Sequence, residues 1–185
     1  MITKALILAA GDGKRLDRPN TPKPLVKVGE TPILFRLIEQ MIEAGITTVH
    51  IVVGYEKEKI IKAVSQQFVT RVDLHFIEND AWQRGLASSA YEGHRGVGDT
   101  DEPFLLSMGD HIFDVCHIRQ MVQTRLEPGT MKMLVDYRIH PESDVYTAVK
   151  VLSVDDRVVS LDFTMEAYNG VDAGLFAVCP TCFFH

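Results

Sequence analysis

The sequence predicts an α/β fold: a Rossmann-like, mostly parallel central sheet with helices on both faces and a small antiparallel extension. In roughly the first 112 residues, short apolar runs alternate with segments of helical periodicity. Continuous apolar runs are typical of strands buried on both faces, and short strand–helix–strand connections require parallel pairing with right-handed crossovers. The later residues show strand patterns without helical segments between them, which predicts the antiparallel extension.

Four apolar runs and three helical segments make up the parallel part. The first strand, at 5–8, runs into a glycine-rich turn. A helix is expected over about 32–44, with Thr31 as N-cap, Pro32 in the first helical position and Gly45 ending it. The remaining elements are a strand at 49–53, a helix around 60–68, a strand at 72–77, a helix that begins after Gly85 and runs towards Arg95, and a strand at 104–108.

The second part of the chain predicts four further strands, at 131–135, 147–152, 158–161 and 173–178. Turn residues separate them, with Pro128-Gly129 before the first strand and Asp155-Asp156 between the second and the third. Both parts are interpreted as one domain, 1–185, because this length is that of a single hydrophobic core.

Composition argues against several classes of protein. The net charge is -6 and no basic stripe occurs outside the glycine-rich turn, which argues against nucleic acid as a partner. No run reaches the roughly 18 apolar residues that span a bilayer, and the first residues lead into a strand pattern rather than a signal peptide, so we expect a cytoplasmic protein.

The three cysteines of the chain do not suit a disulfide framework. Cys179 and Cys182 form a C-x-x-C pair, for which a redox site, a zinc site and a plain strand-end turn stay open.

The turn after the first strand has the features of an anion site. Gly11 and Gly13 allow positive φ and the close approach of another molecule, so consecutive backbone N–H groups can face a polyphosphate. Five basic residues outnumber two acidic ones here, namely Lys14, Arg15, Arg18, Lys23 and Lys27 against Asp12 and Asp17. Open α/β sheets bind ligands at the carboxyl ends of their strands, so we expect a nucleoside triphosphate. Neither the G-K-[ST] ending of a Walker loop nor the third glycine of a dinucleotide fingerprint is present.

Two further charged residues are candidates for the same cleft. Pro22 and Pro24 restrict φ on either side of Lys23, so its amine is presented from a stiff loop. Asp110 directly follows the predicted strand 104–108, so its carboxylate should face the cleft at the glycine-rich turn. Because Mg²⁺ is usually held by one or two carboxylates together with substrate phosphates, Asp110 is a candidate magnesium ligand.

Two motifs resemble the signature of the sugar-phosphate nucleotidyltransferases. The run LILAAGDGKRL at 6–16 and the run PKPL at 22–25 occur in family-like order and spacing. Three later segments, at 79–90, 107–111 and 168–176, resemble the inositol-1-phosphate cytidylyltransferases within that family. The resemblance implies a GT-A-like fold, with 1–112 as the nucleotide-binding half and 113–185 as the acceptor-binding half.

The resemblance also implies an activity. A nucleotide would be transferred from a nucleoside triphosphate, expected to be CTP, to a phosphorylated small molecule, expected to be inositol 1-phosphate, with release of pyrophosphate. Catalytic roles would fall on Arg15, Lys23 and Lys150, the last against the acceptor phosphate, and Mg²⁺ would be held by Asp110 and by Asp172 in a D-x-G strand start. Nucleotide contacts are implied for Leu8, Ala10, Gly11, Gly13, Lys14, Glu78, Gly85 and Ser88.

Two departures from the family pattern bear on the acceptor and on chain length. Where related sequences tend to carry Gly-Lys before the D-x-G strand, this chain reads LDF at 161–163, so a basic acceptor contact is missing. The chain also ends short of the helices that usually close the fold, so we interpret it as a fragment or as the catalytic part of a longer protein.

The alternatives to this activity are a sugar-1-phosphate or choline-phosphate nucleotidyltransferase and a non-catalytic nucleotide-binding module. A metal-dependent glycosyltransferase ranks last, because Ile112 stands where its Asp-x-Asp motif would end.

Overall fold

The computed structural model describes residues 1–13, 21–98, 102–139 and 148–184. In chain order its strands and α-helices are β1 (Lys4–Ala9), β2 (Lys27–Val28), β3 (Thr31–Pro32), α1 (Ile33–Glu43), β4 (Thr48–Val53), α2 (Lys57–Phe68), β5 (Asp73–Glu78), α3 (Leu86–Val97), β6 (Phe104–Met108), α4 (Val115–Val122), β7 (Met131–Asp136), β8 (Lys150–Val154), β9 (Arg157–Asp162) and β10 (Gly170–Val178). Short 3₁₀ turns occur at Lys23–Leu25, Trp82–Arg84 and Pro180–Phe184.

The centre of the sheet is parallel and one side is antiparallel. β5, β4, β1 and β6 lie side by side in parallel, and β10 pairs antiparallel with β6. Phe176 of β10 pairs with β6 on one side and β7 on the other, whereas Val171 pairs with β8 and β7. β8 therefore adjoins the same edge of β10 as β6 does. Because β10 runs antiparallel to β6, its first residues and the β8–β9 hairpin extend beyond the carboxyl end of β6.

Helices cover both faces of the parallel strands. Alternate residues of β1 belong to two hydrophobic clusters, Ile7 to the cluster that α1, α2 and α4 complete and Leu6 to the one beneath α3. Strands buried on both faces explain why the sequence shows unbroken apolar runs there. The α/β fold class, with its mostly parallel sheet and antiparallel extension, is confirmed.

Three details of the predicted elements were wrong. Thr31 is not an N-cap: it pairs with Val28 in the β2–β3 hairpin, and α1 begins at Ile33, whose N–H is bonded to the carbonyl of Val26. α4 was not predicted; it begins after Asp114, whose carboxylate accepts a hydrogen bond from the N–H of residue 116. β10 begins at residue 170 rather than 173.

The strand predicted at 147–152 lies partly outside the described residues, and β8 begins at Lys150. Over the described part of the chain, no helix has the length and apolar character that crossing a bilayer requires.

Candidate nucleotidyltransfer site

A cleft of about 630 Å³ opens at the carboxyl ends of β1 and β6. It is lined by the turn from Leu8 to Gly13, by Lys23 and Pro24, by residues of the segment 82–89, and by Met108 and Asp110. The parallel strands bring these segments together, because their carboxyl ends meet at one edge of the sheet. This is where the sequence predicts ligand binding.

The glycine-rich turn is shaped by close packing against Lys23. Gly13 has a φ of +60°, and a β-carbon placed there would lie 2.7 Å from the β-carbon of Lys23. At Gly11, a β-carbon would meet no other atom within 4 Å, so the space beside this residue is open to the cleft. The N–H groups of Tyr55 and Gly109 bond to the carbonyls of Ala10 and Leu8, both at 2.9 Å, and tie the turn to the two neighbouring strands. The turn is thus held in place with its open side free for a ligand.

Lys23 and Asp110 form an ion pair within the cleft. The second carboxylate oxygen of Asp110 lies 2.8 Å from Nδ1 of His111. Burial by itself would raise the pKa of Asp110, but the hydrogen bonds from His111 and Lys23 outweigh it and hold this pKa well below its ordinary value. Asp110 is therefore ionised throughout the neutral range.

Asp172 lies near the start of β10 and interacts electrostatically with His111. Burial raises the pKa of Asp172, while a hydrogen bond from the N–H of Gly174 at 2.7 Å and the nearby His111 act against that rise. Gly174 has a φ of +76°, and a β-carbon there would lie 2.9 Å from the His111 ring. Asp172 does not line the cleft itself. Among the described residues, no three His, Cys, Asp or Glu side chains form a metal site by themselves.

The opposite wall of the cleft is built on a buried asparagine. Asn79 is 2% exposed; its side-chain amide donates to the hydroxyl of Ser89 at 3.0 Å and accepts from the N–H of Ala81 at 3.0 Å. The adjacent Trp82 packs so closely on Gly54 that a β-carbon at residue 54 would lie 2.7 Å from that of Trp82. These contacts join the segment after β5 to the start of α3 and fix the shape of this wall.

Seven of the predicted site residues line the cleft together, namely Leu8, Ala10, Gly11, Gly13, Lys23, Gly85 and Asp110. Lys14 and Arg15 lie outside the described residues. Lys150 lies outside the cleft lining, with its ammonium 5.3 Å from the centre of the Tyr168 ring.

Glu78 and Ser88, for which nucleotide contacts were predicted, do not line the cleft. Glu78 ends β5, two strands away from β1, and its carboxylate pairs with Lys57 at 2.5 Å outside the cleft lining. The hydroxyl of Ser88 donates to the carbonyl of Ala81 at 3.3 Å, and Ser89 lines the cleft instead. Neighbouring helical residues differ by about 100° in direction, so the phase of α3 decides which serine faces the cleft.

Within the segment 82–89, four lining residues were not among the predicted site residues, namely Trp82, Gln83, Leu86 and Ser89. A signal was available, since the chain's single tryptophan stands in a polar stretch between a strand end and Gly85. A large aromatic residue in such a loop is typical of a binding surface rather than of a turn.

Comparison with known proteins agrees on the class of protein, a nucleotidyltransferase. Residues 5–152 match the family model of the MobA-like NTP transferase domain, so the chain belongs to that family. The predicted resemblance to sugar-phosphate nucleotidyltransferases is confirmed.

Several relatives are similar along most of the chain. The Bifunctional IPC transferase and DIPP synthase of Aquifex aeolicus is 27% identical over 99% of this chain and 40% of its own length. Glucose-1-phosphate thymidylyltransferase of Streptomyces antibioticus is 35% identical over 86% of this chain and 44% of its own length. The structure of the inositol-1-phosphate CTP transferase from T. maritima superposes with a TM-score of 0.78 at 24% identity, covering 96% of this chain and 71% of that one. The chain thus spans less than half of these two curated relatives.

Proposed function

We propose that this chain transfers the nucleotide of a nucleoside triphosphate, with CTP as the first candidate, to a phosphorylated polyol or sugar, with inositol 1-phosphate as the first candidate. An oxygen of the acceptor phosphate forms a bond to the α-phosphorus. The bond from the α-phosphorus to the oxygen that bridges to the β-phosphate breaks, and pyrophosphate leaves with the electron pair. The observation that best supports this proposal is the ion pair of Lys23 with Asp110 beside the glycine-rich turn.

The residues of the cleft suit the charges of this reaction. The N–H groups of Gly11 and Gly13, together with Arg15, would hold the β- and γ-phosphates. Lys23 would move from Asp110 to the triphosphate and neutralise the charge that grows around the α-phosphorus. Positioning and charge stabilisation of this kind account for most of the catalysis in phosphoryl and nucleotidyl transfer, and no covalent enzyme intermediate is needed.

Asp110 and Asp172 fit a magnesium ion that substrate phosphates also ligate. Both carboxylates are hard oxygen donors; Asp110 follows β6, and Asp172 belongs to β10, the strand that pairs with β6. Burial raises the pKa of Asp172, and its carboxylate accepts a hydrogen bond from the backbone N–H of Gly174, so a cation would relieve the cost of ionising it. When bound, Mg²⁺ would supply Lewis-acid neutralisation of phosphate charge.

Lys150 is the candidate for the acceptor phosphate. It belongs to the β8–β9 hairpin, which extends past the carboxyl end of β6 and therefore lies on the side of the cleft. Its ammonium lies over the ring of Tyr168 and forms no ion pair closer than 4 Å within the described residues. A cation that lies over an aromatic ring and forms no close ion pair can be transferred to an entering phosphate at small energetic loss.

The segment 82–89 is the candidate for the base and ribose. Gln83 offers both a donor and an acceptor, and Trp82 offers an aromatic face, on the wall opposite Lys23.

A second candidate function, thymidylyl transfer to glucose 1-phosphate, is favoured by the 35% identity to the Streptomyces enzyme of that name.

Pyrophosphate release tests the proposal directly. The purified chain would be given Mg²⁺ with CTP or dTTP, and with inositol 1-phosphate, phosphocholine or glucose 1-phosphate. We expect release with CTP and inositol 1-phosphate and its loss in Asp110→Ala, whereas Lys132→Ala, an exposed lysine on β7, serves as control. Release with dTTP and glucose 1-phosphate would favour the second candidate. Nucleotide binding without release from any pair would contradict the transfer function and indicate a binding module.

A further inference from the structure

His111 follows Asp110 in the turn after β6 and contacts it directly. Its Nδ1 lies 2.8 Å from one carboxylate oxygen of Asp110, while Lys23 occupies the other. An ionised carboxylate only accepts hydrogen bonds, so Nδ1 of His111 carries the proton and donates it. Asp110 is thus held from two sides by two different residues.

The ring of His111 has two further contacts, one with Phe113 and one with Gly174. It lies nearly parallel to the ring of Phe113, with centroids 6.2 Å apart, and the backbone carbonyl of the buried Phe113 accepts a hydrogen bond from Gln40 of α1. Its other edge packs on Gly174, where an added β-carbon would lie 2.9 Å from Cδ2 and 3.0 Å from Nε2. His111 therefore spans from Asp110 to Gly174 of β10, which is two residues after Asp172.

We propose that His111 is a positioning residue, which orients Asp110 and spaces it from Asp172 for a divalent cation bound with the triphosphate. This inference rests on the proposed function and assigns His111 no contact with substrate or metal. Carboxylates that ligate metals are commonly oriented by a second hydrogen bond of this kind.

The ion pair explains why a second contact on Asp110 matters. In the proposed reaction, Lys23 leaves Asp110 for the triphosphate. Within the described residues, the side-chain contact of Asp110 that then remains is the hydrogen bond from His111. Without it, the carboxylate would be free to rotate when it has to hold the cation.

Two substitutions separate the hydrogen bond from the ring. The amide nitrogen of His111→Asn falls near the position of Nδ1 and can still donate to Asp110, whereas that of His111→Gln falls near Nε2. With Mn²⁺ as a paramagnetic probe and CTP present, electron paramagnetic resonance gives the dissociation constant of the cation without any turnover. We expect His111→Gln to weaken Mn²⁺ binding about 10–100-fold, as is usual for a residue that orients a ligand. His111→Asn should recover most of that loss, and His117→Asn in α4 should behave as the unaltered chain does.

The outcomes distinguish the two proposals. Unchanged Mn²⁺ affinity in His111→Gln, or equal losses in the Asn and Gln variants, would overturn the positioning role alone. Failure of the unaltered chain to bind Mn²⁺ with CTP would overturn the metal assignment and the positioning role with it. Fluorescence of Trp82, which lines the cleft, reports CTP binding separately and shows whether the nucleotide site itself is intact.

Discussion

The central parallel strands β1 and β4 and the antiparallel edge strand β9 differ in how deeply they are buried. In β1 and β4, five of six residues are buried, whereas in β9 five of six are exposed. The parallel part holds the glycine-rich turn and Asp110, and the antiparallel part holds Asp172 and Lys150. We infer that the triphosphate site is built on the rigid part of the molecule and the acceptor site on the less stable part.

This difference suits the two substrates. Charge stabilisation at the α-phosphorus depends on donors that are fixed before the reaction, which a doubly covered sheet provides. An edge hairpin with few buried apolar contacts opens at lower free energy, so it can adjust to an acceptor.

The largest expected effect comes from comparing one lysine of each part. Lys23→Ala should lower kcat by about 100–1000-fold, because it removes a preorganised cation from the reacting phosphate. Lys150→Ala should mainly raise KM for the acceptor, because the contact proposed for its ammonium is with the acceptor phosphate. Steady-state pyrophosphate release gives both constants. Similar losses of kcat in the two variants would contradict the assignment of the triphosphate to the parallel part and of the acceptor to the antiparallel part.

A smaller effect is expected on stability from one leucine of each part. Leu37 of α1 is 0% exposed and Leu161 of β9 is 45% exposed. Leu37→Ala should lower the free energy of unfolding by about 2–5 kcal/mol through lost burial and a cavity. Leu161→Ala should change it by about 0.5 kcal/mol or less, as exposed positions usually do. Urea unfolding followed by circular dichroism measures both, and a large loss in Leu161→Ala would show that β9 is covered in solution.

The difference in burial between the parallel and antiparallel strands also explains which elements can be predicted from the sequence. Strands buried on both faces, such as β1 and β4, leave unbroken apolar runs, and a strand end followed by glycines or by Asp110 locates the cleft without further information. α4 was missed because its eight residues carry just three buried ones, too few for a periodic pattern.

The direction and the contacts of a single side chain could not be predicted from the sequence. Ser88 and Ser89 are indistinguishable until the phase of α3 is known. Glu78 pairs with Lys57 from another element, and Lys150 lies over the ring of Tyr168, 18 residues later. Partners that are distant in sequence leave no local signal, so these contacts required the three-dimensional structure.

The smallest expected effect lies at the amino-terminal half of the parallel strands, away from the cleft. His50 of β4 is 8% exposed, stacks on His75 at 4.7 Å, and has no hydrogen-bond partner for Nδ1 within the described part of the chain. Burial, aided by the neighbouring His75, lowers the pKa of His50 from 6.5 to about 4. The folded chain keeps this residue neutral while the unfolded chain protonates it, so the free energy of unfolding should fall as the pH drops from 6.5 towards 4.

The expected loss is about 1 kcal/mol between pH 7 and 5.5, since one pKa unit corresponds to roughly 1.4 kcal/mol. Urea midpoints across this range, compared with those of His50→Leu, isolate the contribution because leucine is apolar and does not titrate. Asp110 does not interfere: its pKa is lowered from 3.8, so the stability it contributes is present above that pH and is lost only below it. If the urea midpoints of the variant and of the unaltered chain changed equally with pH, His50 would be protonated as easily in the folded chain as in the unfolded chain. Such a result would contradict the rigid burial that we infer for the parallel strands.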